Sequence, residues 1–269
     1  MASIREQFRA TREQCLTEAD AGRKPLSSGD KASDRRHVAE MAEQIAALQE
    51  KLYAQGRHKL LVVLQGMDTS GKDGTIRDVF SGIDPLGITS TSFKLPTADE
   101  KAHDYLWRIH QKVPMQGQVA VFNRSHYEDV LVTLVHGDID EAECARRYAQ
   151  IRDFERMLSE TGTTILKCFL HISRDEQRER LQARLDNPEK HWKFDMQDVK
   201  ERAHWDAYQA AYEQAIRHTS TDYAPWYVIP ADSKTHRNLA VASIVLEALD
   251  ELHPAYPPPH LDYAKLRID

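Results

Sequence analysis

The chain has 269 residues, 41% hydrophobic and 29% charged, with a formal net charge of −6 at pH 7. That length supports one large α/β domain whose core needs no disulfide or metal staple. The negative charge argues against a general nucleic-acid or anionic-membrane surface, so any polyanion must be met by a local basic channel. Three scattered cysteines, Cys15, Cys144 and Cys168, form neither a disulfide framework nor a C-x-x-C metal pair. With a charged start, MASIREQFRA, and a longest aliphatic run of only residues 60–64, a cytoplasmic protein with no membrane span is expected.

Residues 1–56 read as an N-terminal helical extension. Its clearest part, 34–55, carries Val38, Met41, Ile45, Leu48 and Leu52 at helical spacing and stops at Gly56. Short β-rich runs then alternate with longer helix-periodic ones. Strands are expected at 60–65, 90–95, 118–123, 164–172 and 226–230, and helices at 73–83, 98–112, 141–160, 174–185 and 234–252. Ser173 and Glu176 have the form of a capping box. This alternation predicts a single domain over 1–269, a three-layer α/β/α fold on a five-stranded parallel sheet. Residues 186–205 fit no sheet element, and with the preceding helix they suggest a helical lid over 174–205; a solvated surface excursion is the alternative. The proline-rich tail, 253–269, is expected along the surface.

Gly66, Gly71 and Lys72 match G-x-x-x-x-G-K, directly after an aliphatic strand and before a helix whose apolar face is Ile76, Val79, Phe80 and Ile83. In such a loop successive N–H groups, here from Gly66 through Met67, Thr69, Ser70, Gly71, Asp73 and Gly74, wrap a phosphate, and the lysine adds a point charge. The fold is therefore expected to be P-loop kinase-like. The position after Lys72, where a hydroxyl ordinarily holds magnesium, is Asp73, expected in the first helical turn and facing away from the phosphates. Asp68 lies inside the loop, where a carboxylate is costly beside phosphates unless it binds their Mg2+; a simple turn cap is the other reading. The third strand ends at Asn123, where P-loop enzymes place a metal-ordering Asp. Of the nearest acids, Asp129 could reach back to the metal, and Glu128 could be a second ligand or orient water. Both also suit a helix N-terminal turn.

Together, GMDTSGKDGTI, SFKLPT, FNRSHYEDVLV, ARLDNPEKHWKF and YAPWYVIPADSKTHRN resemble the family-2 polyphosphate kinases, and NRSHYED is similar to their class III. The resemblance implies transfer of a terminal phosphate from inorganic polyphosphate to ADP or AMP. It implies Mg2+, with Mn2+ able to replace it, held by Asp68 and Asp129. Lys72 would contact the transferred phosphate with Arg124 nearby, and Asn123 and Glu128 would border the nucleotide. Arg180 and Arg184, with Lys190 and Lys193, would form a lid over the polyphosphate, and Lys94 would be a further phosphate contact. A homo-oligomer, dimer or tetramer, is also implied.

Read without the resemblance, Arg180 and Arg184 share a helix face, and RDEQRERLQARLDNPEKHWK could wall a basic groove. Alternatively, Arg174, Arg178 and Arg180 pair with Asp175, Glu176 and Glu179 on a solvated helix. The histidines His103, His110, His126 and His191 have no metal spacing, and His126 is given no role. Trp192 and Trp205 suit either base stacking or packing. An ATP-dependent nucleoside or nucleotide kinase, or a non-catalytic polyphosphate-binding module, would share most of these features; a guanine-reading switch lacks its N-K-x-D motif.

Overall fold

A run as aliphatic as residues 60–64 is buried on both faces only at the centre of a covered parallel sheet. In the computed structural model β1 (Lys59–Gln65) takes that place. The structure describes residues 3–11, 13–261 and 266–268; parts of the expected extension and tail, residues 1, 2, 12, 262–265 and 269, lie outside the described residues.

In chain order the extension supplies α1 (Ile4–Phe8), α2 (Glu18–Ala21) and α3 (Lys31–Gln55), followed by β1, α4 (Lys72–Phe80) and β2 (Ile88–Ser92). Next come α5 (Ala98–Lys101), α6 (Trp107–His110), β3 (Val119–Asn123), α7 (Glu128–Val135), α8 (Glu141–Glu160), β4 (Thr163–His171) and α9 (Arg174–Leu185). A 3-10 turn (Pro188–Lys193), α10 (Met196–Glu201), α11 (Trp205–Thr219), β5 (Trp226–Pro230) and α12 (Lys234–Glu251) complete the order. The sheet runs β2-β3-β1-β4-β5 with every pairing parallel. With β1 central, the loops after β1, β3, β4 and β5 meet at one edge, where open α/β sheets bind ligands.

Three expectations change. The second strand spans 88–92 instead of 90–95, and the freed end leaves Phe93 buried but Leu95 88% exposed. The helix expected over 98–112 breaks into α5 and α6, because the Asp104 carboxylate accepts the Leu106 N–H at 3.0 Å and starts a new turn. The helix α11 was not anticipated, although Trp205, Tyr208, Ala211, Tyr212, Ala215 and Ile216 give it a buried stripe at helical spacing.

The extension is knit into the body. The Ala10 N–H donates to the Trp226 carbonyl at 2.8 Å, and the Asp232 N–H donates to the Ala21 carbonyl at 3.2 Å, so α1 and α2 lie against the β5 side. Helix α3 covers α12 and α4.

A polar knot lies within the core. Lys167 of β4 donates to Glu155 at 2.6 Å, the Tyr127 hydroxyl at 2.9 Å and the Thr219 carbonyl at 2.8 Å, using all three ammonium protons. His126 adds a 3.4 Å contact to Glu155, so this histidine anchors the β3–α7 turn from beneath. Both members of the Lys167–Glu155 pair are at most 1% exposed. Lys167→Met is therefore expected to destabilise the fold by about 3–5 kcal/mol, since it strands a buried carboxylate. Adding Glu155→Leu should recover much of that loss in a denaturation series, and a single variant as stable as wild type would contradict the assignment.

Candidate active site

The loop between β1 and α4 is shaped by close approaches. Gly71 has φ +102°, and a Cβ there would lie 1.8 Å from Arg237 Nη1; one at Gly66 would lie 2.7 Å from the Leu170 carbonyl. Thr69 and Arg124, neither of them glycine, adopt φ +65° and +62°. Such strained backbone concentrates at functional sites. Lys72 is buried and folds back over the loop, donating to the Gly66 carbonyl at 2.7 Å and the Met67 carbonyl at 3.3 Å.

Burial, and then the nearby Arg124 charge, pushes the Lys72 ammonium down to about 8. A phosphate beside it favours the charged form and raises that value. Donor kcat/KM should thus fall about tenfold per pH unit above about 8, while kcat at saturating donor holds to higher pH. Unfolding does not explain such a limb. Between the folded value and the ordinary lysine value of 10.5, the unfolded chain binds more protons, so this group makes stability rise with pH. A pH series of both constants, with melting curves at each point, checks the separation.

The acids divide into three sets. Asp73 lies in the first turn of α4 as expected, but it does not turn away: its carboxylate accepts from Asn123 Nδ2 at 2.6 Å and lies 3.9 Å from Lys193 Nζ. The positions that carry a hydroxyl and an Asp in ordinary P-loop enzymes thus hold Asp73 and Asn123, with the carboxylate moved to the helix. Asp68 accepts from Arg124 Nη2 at 2.5 Å, and Arg124 Nη1 reaches Glu128 at 3.2 Å, so the arginine stands between two carboxylates. Glu128, then Asp68, holds its guanidinium above its ordinary value. Asp129 is placed elsewhere. It meets Arg108 Nη2 at 3.5 Å, and Arg108 Nη1 donates to the Lys94 carbonyl at 2.8 Å, so Asp129 braces the segment after β2 and does not join Asp68 at the cleft.

The expected lid cations also part company. Arg180 is buried and spends its donors on Glu176 and on the Thr69, Ser70, Ala231 and Asp232 carbonyls, at 2.6–3.0 Å. With all five N–H groups used, it clamps the loop to the end of β5 and is not a free cation over the phosphates. Arg184 holds the lid segment through the Lys193 carbonyl at 3.0 Å and Asp198 at 3.1 Å. Burial, with Asp68 adding, pushes the Asp198 carboxyl up to about 6. Lys94, Lys190 and Lys193 line the cleft with Arg184, and Lys193 also lies 4.7 Å over the Trp192 ring.

These groups surround one cleft of about 890 Å³, reaching from Phe93, Lys94 and Leu95 after β2, across the loop, to Lys234 and Arg237 after β5. The family model described as Polyphosphate kinase 2 (PPK2) matches residues 28–256. The chain belongs to the polyphosphate kinase 2 family. An AMP/ADP-polyphosphate phosphotransferase of Meiothermus ruber is 55% identical over 241 residues, covering 90% of each chain. An ADP-polyphosphate phosphotransferase of Rhodopseudomonas palustris is 42% identical over 254 residues, 88% of each. The crystal structure of Polyphosphate Kinase 2 from Arthrobacter aurescens TC1 superposes with a TM-score of 0.95 at 47% identity, covering 97% of this chain and 94% of that one. The P-loop kinase-like α/β fold is therefore that of a polyphosphate kinase 2 structure.

This family member carries two site cations that sequence reasoning missed. Arg237 is buried, donates to the Ser70 carbonyl at 3.1 Å and to Asn238 Oδ1, and has no carboxylate partner among the described residues. Burial, with Arg180 adding, lowers it to about 9. Lys234, three residues earlier, opens α12. Cations in a helix's first turn work against its dipole. That was the available signal: Lys234 and Arg237 are tolerated where an anion is to be bound.

For a metal, the acids of the phosphate loop and the first turn of α4 that line the cleft are Asp68 and Asp73. Among the described residues no three His, Cys, Asp or Glu side chains converge. Mg2+ takes one or two protein carboxylates and fills its shell with phosphate and water oxygens.

Proposed function

We propose that this protein transfers the terminal phosphate of inorganic polyphosphate to ADP and AMP, with Mg2+ assisting. The observation that carries the reading is the asymmetry of the cleft. Its β5 end offers Lys234 and Arg237, cations with no carboxylate ion pair among the described residues, while its β2 end offers Leu95, 88% exposed, and the lid presents Trp192, 78% exposed. A phosphate chain fits the first end, and a nucleoside fits the apolar surface of the second. The similarity to an AMP/ADP-polyphosphate phosphotransferase supports both acceptors.

In the reaction, a terminal phosphate oxygen of the nucleotide attacks the end phosphorus of the chain, and the bridging P–O bond breaks with its electron pair leaving on the shortened chain. No side-chain nucleophile is required. The loop N–H groups and Lys72 hold the transferring group, and Arg124 neutralises charge beside it. Bound Mg2+ would supply further charge neutralisation, held by Asp68 and Asp73. Asp129 meets Arg108 through Oδ2 alone, at 3.5 Å, which leaves its other oxygen to serve as a further ligand.

Three free cysteines and the lack of any described helix long and apolar enough to cross a membrane suit a cytoplasmic enzyme. A dimer or tetramer is expected by light scattering. The test of the acceptor range is product chromatography with polyphosphate and either ADP or AMP. ATP from ADP together with ADP from AMP supports the full reading; ATP from ADP alone removes AMP from it.

A further inference from the structure

The cleft does not end at Lys234. That side chain is shared with an adjoining basin of about 530 Å³, whose far wall is built by the N-terminal extension. Lys24, Lys31, Arg35 and Lys234 line it, together with Glu176 and Asp232. All four cations are exposed, and none makes an ion pair or side-chain hydrogen bond among the described residues. Both carboxylates are engaged: Glu176 accepts from Arg180 at 2.6 Å, and Asp232 from the Ser173 N–H at 2.8 Å. In a protein of net charge −6 this is a local positive basin.

The basin is built, not incidental. Asp34 is 1% exposed and accepts from Ser27 Oγ at 2.5 Å and the Ser28 N–H at 3.1 Å, folding the bend between α2 and α3. Asp30 caps α3 through the Ala32 and Ser33 N–H groups. The Asp232 N–H to Ala21 carbonyl bond then fastens the bend to the end of β5. Lys24, Lys31 and Arg35 are thereby held on the same side of the sheet as the phosphate loop. Lys234 lies at the junction, its ammonium lowered by burial and by Arg180, Arg237 and Lys190, which is the environment of a cation awaiting an anion.

We propose that the donor chain, its end held at the phosphate loop, passes over Lys234 into this basin, and that Lys24, Lys31 and Arg35 form a distal subsite for internal phosphates of a long linear polyphosphate. The inference rests on polyphosphate being the donor. Its consequence is a preference for long chains set by the extension, separate from the chemistry at Lys72.

The test is a triple variant, Lys24→Gln, Lys31→Gln and Arg35→Gln, assayed with long-chain polyphosphate and with tripolyphosphate. The KM for long chains should rise about tenfold, while kcat/KM with tripolyphosphate and the KM for ADP stay within about twofold. An equal loss on both donors, or none on long chains, would overturn the subsite. Equilibrium binding of long-chain polyphosphate across a salt series gives a readout independent of turnover. Its slope against log salt should flatten by about two in the variant, and an unchanged slope would refute the inference even if wild-type protein transferred no phosphate. Wild-type binding without transfer would defeat the reading of function instead, and leave the subsite to be decided by the slope.

Discussion

Lys72→Met is expected to lower kcat/KM for the donor by about 10³ or more while the fold persists. The ammonium is held over the loop by the Gly66 and Met67 carbonyls, so it is positioned before substrate arrives. Arrival of a phosphate exchanges those neutral acceptors for an anion in a site where burial strengthens the attraction. Methionine keeps the volume of the stem and removes the charge. It also removes a cation that burial penalises, so melting temperature should hold or rise. Steady-state kinetics beside melting curves checks both halves. A variant retaining a tenth of wild-type activity would show that the loop amides and Arg124 suffice.

Asp68→Asn is expected to reduce kcat by about 10²–10³. Asp68 stands both as a candidate metal ligand and as one of two carboxylates that aim Arg124, at 2.5 Å, with Glu128 at 3.2 Å as the other. Magnesium dependence separates the two roles. Loss of a ligand should raise the Mg2+ concentration giving half-maximal rate and permit partial rescue by Mn2+. Loss of aim alone should leave that concentration unchanged, and Glu128→Gln should then produce a comparable defect. A kcat within a few-fold of wild type would remove Asp68 from both roles.

What was legible in the sequence was what is encoded locally. The phosphate loop is a spacing of glycines and a lysine between a strand and a helix, and it lies where that spacing put it. The five strands follow from runs of β-branched and aliphatic residues, with only the second displaced: it ends at Ser92, and the Phe93 N–H makes a last bond to β3, at the Asn123 carbonyl. What could not be read was which partner each charged side chain meets. Asp129 faces Arg108, 21 residues away, and Asp73 faces Asn123, 50 away. Arg180 satisfies carbonyls up to 111 residues distant, so a residue that looks like a lid cation is a brace for the loop. The roles of Lys234 and Arg237 were encoded more openly, as cations in a helix's first turn immediately after a strand.

The central claim, polyphosphate as donor, is tested most directly by incubating purified protein with ADP, Mg2+ and polyphosphate in the absence of ATP, and following nucleotides and chain length together. One terminal phosphate lost from the chain per ATP formed, with no AMP accumulating, is the predicted result. ATP formed with an equal amount of AMP and no chain shortening would reveal ADP disproportionation by an ordinary nucleotide kinase, and would contradict the account.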